Sequence, residues 1–296
     1  MKKIDIHCHV VAFPQYMAKR PDGNHFLTVE EQLSVHERVN VEKGVLLPVV
    51  APEAFHTLMT NQEAKMVADK YPDRFTWFCN VDPRMASYSE KTDLSWFLNQ
   101  YKEMGAQGLG ELTTPLDADS PMMDNLFTHC EACDMPVLFH IAPQHGGVYG
   151  IVDENHLPRL ERMIKKHKNL KFIGHSAAFW CEISTGVEQD ARNGYPKGKV
   201  EEGRLPKLLR EYGNLYCDLS AGSGSNAMMR DPEYAAKFME EFSDRIFYGI
   251  DSCTYPRDTF QYTFDAFLTK MVEDKMLSIE NYEKIVRKNA EKILGI

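Results

Sequence analysis

The chain has 296 residues, 43% hydrophobic and 26% charged, a composition that excludes a disordered segment or a disulfide miniprotein and leaves room for two ordinary domains or one large barrel. Its 43 acidic against 34 basic side chains give a formal charge of -9 with no basic run, so nucleic acid is not expected as a partner. The first residues already carry charge and His, so neither a signal peptide nor a membrane span is expected, and seven scattered cysteines suit a reducing, cytoplasmic location. Cys130 and Cys133 have no second CxxC to complete a zinc ribbon.

In chain order, short β-branched runs alternate with segments at helical spacing. The pattern predicts strands at 3–8, 44–50, 75–81, 106–112, 136–141, 170–175, 214–219 and 245–251. Helices are expected at 29–40, 61–71, 89–104, 122–133, 157–167, 205–212 and 232–242, and a helical tail from Arg257. Eight strands, each followed by a helix, predict an α/β fold of a single (β/α)8 TIM barrel with parallel strands, spanning 1–296 as one domain. A doubly wound sheet is the alternative, but no GxGxxG follows the first strand, and Gly222-Ser223-Gly224 is too short a signal. A polar, glycine-containing stretch from Gly186 to Gly203 is expected as an inserted loop after the sixth strand.

In such a barrel the chemistry gathers at the C-terminal strand ends. The first strand ends in Ile6-His7-Cys8-His9, the fourth in Gly110-Glu111, the fifth in Phe139-His140, the sixth in Gly174-His175 and the eighth in Ile250-Asp251. Two residues apart on a strand, His7 and His9 face one way and Cys8 the other. An HxH pair arises by chance at this His content, but His140, His175 and Asp251 at separate strand ends would be costly to bury without a partner. A shared divalent cation would satisfy all of them, where a hydrogen-bonded polar mouth is the bland alternative.

The run Lys3-Ile4-Asp5-Ile6-His7-Cys8-His9, the single His residues near strand ends five and six, and Tyr248-Gly249-Ile250-Asp251-Ser252 together resemble the amidohydrolase superfamily. The likeness extends over the whole chain in motif order. It is nearest to the amidohydrolase-related group that includes aminocarboxymuconate semialdehyde decarboxylase, and more distant from TatD-like hydrolases. The resemblance implies that His7, His9, His140 and Asp251 are metal ligands and that His175 holds or polarises a metal-bound water. Imidazole and carboxylate donors suit Zn²⁺ first and Mn²⁺, Fe²⁺ or Ni²⁺ as well, as one ion or two. Asp251 beside that water could accept its proton.

Glu111 separates the branches that the resemblance leaves open. Decarboxylases of the related group usually lack an acid at this strand end, whereas several hydrolase branches carry a metal-bridging residue there. Glu111 is therefore expected either to join two cations, making His140 and His175 both ligands, or to hydrogen-bond a ligating His, or to be an ordinary loop carboxylate. Arg84, Tyr149, Trp180 and Arg257 follow strands three, five, six and eight and are candidates to contact substrate. The remaining histidines, His145 least clearly, read as surface or packing residues.

The leading expectation is a metal-dependent hydrolase acting on an amide, ester or lactone carbonyl of a small molecule. A nonoxidative decarboxylase of an unsaturated or aromatic acid is the alternative, and a noncatalytic metal-binding sensor the third reading. A homodimer is compatible with the composition, and no membrane partner is expected.

Overall fold

Eight runs form strands, seven of them carrying β-branched or aromatic residues that fit a pleated surface buried on both faces, while Leu109–Leu112 has neither. In a computed structural model that describes residues 1–18, 20, 22–54, 59–255 and 260–296, these are β1 (Lys3–Cys8), β2 (Val41–Leu46), β3 (Phe75–Trp77), β4 (Leu109–Leu112), β5 (Val137–Ala142), β6 (Phe172–His175), β7 (Leu215–Asp218) and β8 (Ile246–Phe247). Seven of them fall within one residue of an expected run, and β2 begins three residues before the run expected at 44–50 and ends four residues short of it. Arg257 and His56 lie outside the described residues.

Consecutive strands pair in parallel, β1 through β3 in one ladder and β4 through β8 in another. Backbone bonds at Cys79 join the two ladders: its N–H donates to Gly108 O, and Gly110 N–H donates to Cys79 O, both at 2.8 Å. On the far side, Ile6 N–H donates to Tyr248 O at 3.1 Å and Asp251 N–H to His7 O at 2.9 Å. The sheet thus closes on itself as a (β/α)8 barrel.

Inside the barrel, Ile4, Ile6, Val45, Leu47, Phe78, Leu138, Ile173 and Phe247 pack together. Ala290 and Leu294, from a final helix at Asn289–Leu294, join them. Each such fully buried aliphatic or aromatic side chain contributes about 1.5–3 kcal/mol of transfer free energy. Around the barrel run α1 (Val29–Arg38), α2 (Asn61–Lys70), α3 (Ser95–Glu103), α4 (Pro121–Ala132), α5 (Pro158–Lys166), α6 (Arg204–Glu211), α7 (Ala221–Met229), α8 (Pro232–Phe242) and α9 (Phe260–Glu273). Capping boxes at Thr28 with Glu31 and at Thr60 with Glu63 start α1 and α2 by satisfying backbone donors that the first turn leaves open. Asn40, at φ 58°, follows the end of α1 in the left-handed region that Asn tolerates and feeds β2. No helix among the described residues is long and apolar enough to cross a membrane.

Three features depart from the sequence pattern. The segment holding Gly222 and Gly224 is helical, as α7, although glycine lowers helix propensity; close packing explains the choice, since a Cβ at Gly222 would stand 2.7 Å from the Tyr195 hydroxyl. His25–Phe26 and Thr254–Tyr255 pair antiparallel, stitching the loop after β1 to the chain after β8. Strict alternation also fails in β1. Asp5 and Cys8 both reach α1, while Ile6 enters the inner core and His7 the barrel mouth, and the pairing with β2 shifts register between Asp5 and Cys8.

The loop after β6 is held from within. Ser184 and Glu202 pair at its base, and Arg192, fully buried, donates to the carbonyls of Asp153 at 2.7 Å and Ala178 at 3.2 Å beside Glu182.

Candidate metal centre at the barrel mouth

The first strand delivers two imidazoles whose outward nitrogens are already used. His7 Nδ1 lies 2.6 Å from Asp218 Oδ2, and His9 Nδ1 lies 3.1 Å from Leu47 O. Both acceptors fix the proton on Nδ1, so each ring turns an Nε2 lone pair inward. Those two nitrogens stand 3.0 Å apart. Two lone pairs approach so closely only with a proton or a cation between them.

Carboxylates complete the group. Glu111 Oε2 is 3.1 Å from His9 Nε2 and 3.6 Å from His7 Nε2; Asp251 Oδ1 is 3.7 Å and 3.6 Å from the same atoms. Four donors about 2.1 Å from one cation would stand about 3.4 Å from one another at tetrahedral corners. The observed separations, 3.0 to 3.7 Å, bracket that edge. The donor chemistry, buried nitrogen and carboxylate oxygen, fits a divalent cation such as Zn²⁺ or Mn²⁺.

Electrostatics agree with a site short of positive charge. Burial works against a charged His7, yet Asp251 and Asp218 hold its pKa well above the usual value. Burial likewise opposes a charged Glu111, but the hydrogen bond from His140 and the neighbouring His7 and His9 rings hold its carboxyl well below the usual range.

His175 and His140 flank the four donors. His175 Nδ1 lies 3.0 Å from Ser220 Oγ and 3.3 Å from Asp218 Oδ2, while its Nε2 faces Asp251 Oδ2 at 3.4 Å. His140 Nδ1 lies 2.8 Å from Glu111 Oε1, so that carboxylate spans from His9 to His140. Burial lowers the His140 pKa, and its ring packs on Tyr149 with centroids 4.5 Å apart.

Beyond the donors opens a cavity of ≈ 550 Å³, its mouth included, whose walls include Arg20, Phe26, Val49, Tyr149 and Cys253. Of the residues expected to contact substrate, Tyr149 is on that wall. Arg84 is not; its guanidinium is held by Asp82 and Glu53. Trp180 is buried beneath the site, where its Nε1–H donates to Asp218 O at 2.9 Å.

Asp218 and Ser220, at the end of β7, were not singled out by the sequence. Ser220 Oγ–H donates to Asp218 Oδ2 at 2.7 Å, and the pair holds both His7 and His175 from behind. Their one signal is position, since they follow a strand end as His140 and His175 do. Gly249 admits them: a Cβ there would lie 2.5 Å from Asp218 Oδ1 and 3.2 Å from His7 Cβ.

A closed parallel barrel whose mouth gathers imidazoles and carboxylates from strands one, four, five, six and eight defines an enzyme of the metal-binding TIM-barrel class. The chain belongs to the amidohydrolase family, whose model matches residues 4–296. Among solved structures it is similar to an uncharacterized TIM-barrel protein from Bordetella bronchiseptica, at 18% identity over 100% of this chain and 99% of that one, with a TM-score of 0.67. It is also similar to a probable 2-pyrone-4,6-dicarboxylic acid hydrolase from Acinetobacter baumannii, with citric acid bound, at 16% identity, full coverage of both chains and a TM-score of 0.60. A third is 5-carboxyvanillate decarboxylase from Novosphingobium aromaticivorans complexed with manganese and a nitrobenzoic acid, at 20% identity over 90% of this chain and 79% of that one, with a TM-score of 0.55. No curated protein matches the sequence.

Proposed function

We propose that the protein is a metal-dependent hydrolase acting on an amide, ester or lactone carbonyl of a small molecule. His7, His9, Glu111 and Asp251 would hold the cation, with Zn²⁺ the best match to the donors. A bound cation supplies a water of lowered pKa and a polarised carbonyl. The observation that carries the reading is the split of Asp251: Oδ1 faces His7 and His9 Nε2, while Oδ2 faces His175 Nε2 at 3.4 Å. In this reading Asp251 Oδ2 would take a proton from the attacking water and share it with His175, whose Nδ1 is braced by Ser220 and Asp218. Protonated His175 can then return that proton to the leaving group.

A second reading, nonoxidative decarboxylation, has its own support. Among the described residues the cavity wall has a guanidinium, Arg20, paired with Asp22 at 2.9 Å, beside the aromatic rings of Phe26 and Tyr149, and an aromatic or unsaturated carboxylate would have to compete with Asp22 for it. Structural likeness extends both to a named hydrolase and to a named decarboxylase.

Isotope labelling separates them. Metal-loaded protein is incubated in H₂¹⁸O and D₂O with a panel of lactones, amides, esters and unsaturated acids. Hydrolysis places one solvent oxygen in the product; decarboxylation releases carbon dioxide and places a solvent deuteron on carbon. Deuteron incorporation with no solvent oxygen defeats the hydrolase reading.

A further inference from the structure

A fully buried polar group lies behind β1, outside the donor cluster: Asp5, Cys8, Gln32 and His36. Asp5 Oδ2 accepts from the Cys8 thiol at 3.0 Å and from His36 Nε2–H at 3.0 Å. Gln32, one turn earlier on α1, sets its amide Nε2 2.8 Å from the same ring nitrogen and leaves its Oε1 without a partner among the described residues; exchanging the two amide atoms turns the oxygen to His36 Nε2–H as a second acceptor. His36 Nδ1 has no hydrogen-bond partner among the described residues, so the ring proton belongs on Nε2, facing the carboxylate. Strand β2 leaves room for the group by placing Gly44 against it. A Cβ there would stand 2.6 Å from His36 Cε1 and 2.7 Å from Cys8 Sγ.

The second oxygen of Asp5 has a different role. Oδ1 accepts the backbone N–H of His7 and that of Ile250, each at 2.9 Å. These residues lie on opposite sides of the β8–β1 seam, where no regular ladder pairs the two strands among the described residues. Two backbone bonds and this carboxylate stitch the seam. His7 and His9 stand on one side of it, and Asp251 on the other. A slip along the seam would separate donors that must hold their mutual geometry to within about 0.5 Å.

We propose that His36 is a positioning residue for the donor cluster: by holding one oxygen of Asp5, it keeps the other on the His7 and Ile250 amides and so fixes Asp251 against His7 and His9. The consequence for cation binding rests on the metal-site reading; the clamp itself does not.

The test compares His36→Leu with His36→Gln, side chains of similar volume of which only Gln restores a donor to Asp5. Two quantities are read: amide hydrogen exchange at His7 and Ile250 relative to amides of β5 and β6, and Zn²⁺ affinity by chelator competition. In His36→Leu, exchange at those two amides should rise at least about tenfold and Zn²⁺ affinity fall roughly ten- to a hundredfold, the usual effect of losing support behind a ligand. His36→Gln should recover part of both, which a packing defect would not do. Unchanged exchange in His36→Leu, or equal losses in the two variants, overturns the inference. Altered exchange in a protein whose wild type takes up no Zn²⁺ supports the clamp and removes the metal reading instead. Should His36→Leu fail to fold, Asp5→Asn serves in its place, because a neutral amide oxygen is a weaker acceptor for the same two N–H groups; unchanged exchange there overturns the inference equally.

Discussion

Asp218 Oδ2 lies 2.6 Å from His7 Nδ1, and this bond, shielded from water, ties the seventh strand of the barrel to the first. It decides which nitrogen of His7 carries the proton and therefore which one faces the cavity. Asp218→Asn can present an N–H where the acceptor stood, so the preferred tautomer reverses. Metal affinity should fall by about ten- to a hundredfold without loss of fold. Chelator competition measures it, and an unchanged affinity would show that Asp218 does not act on the metal through His7.

Glu111 distinguishes one cation from two. Its Oε2 faces His9 and its Oε1 faces His140, so a carboxylate joining two ions and one supporting a single ion predict different stoichiometries. If two cations sit about 3.5–4 Å apart, Glu111→Gln should lose one selectively and abolish hydrolysis. With one cation, the same change should weaken its binding while the wild type holds a single equivalent. Elemental analysis of both proteins settles the count.

The position of His175 predicts a separation of binding from turnover. It touches Asp251 rather than the centre of the four donors. His175→Asn should keep its metal and lose about 10²- to 10⁴-fold in kcat, as expected for removal of a general acid–base group. Loss of metal together with activity would make His175 a ligand.

The metal-free protein should be pH-sensitive in a defined direction. Burial and the neighbouring His7 disfavour charge on His175, but Asp218 and Asp251 outweigh them and raise its pKa to about 9. In the unfolded chain it returns to about 6.5. The stabilisation is fully present below about pH 6.5 and is lost as pH rises through about 9, with His7 shifted in the same direction. Urea midpoints across that window should fall for the wild type and fall less steeply for His175→Asn. Midpoints that rise with pH would contradict the assignment.

The sequence shows why some of this was legible and some was not. Strands such as Val137–Ala142 are apolar apart from one His and bounded by prolines, so they announce themselves, and polar residues at or just past their ends can be read as mouth residues. His7 and His9 were legible for the same reason. Asp5 was not: period-2 alternation groups it with His7, but Ile4 and Ile6 on either side of it enter the inner core, so Asp5 faces α1, and the register shift between Asp5 and Cys8 is what parts it from His7 at the mouth. Asp218 and Ser220 lacked the spacing signal of an HxH pair, and a lone Asp after a strand looks like any loop acid. Helix α7 stayed hidden because Gly222 and Gly224 argue locally for a turn, and only the packing of Tyr195 and Leu219 against them argues for the helix.

The seven thiols differ sharply in their surroundings. Six are buried, while Cys253, two residues beyond Asp251, is partly open and lines the cavity. A small alkylating reagent therefore meets Cys253 first, within reach of whatever occupies the mouth. The natural sequence thus carries an attachment point for a fluorophore or spin label beside the donor cluster, so ligand entry can be followed as protection from labelling without introducing a cysteine or assuming a substrate.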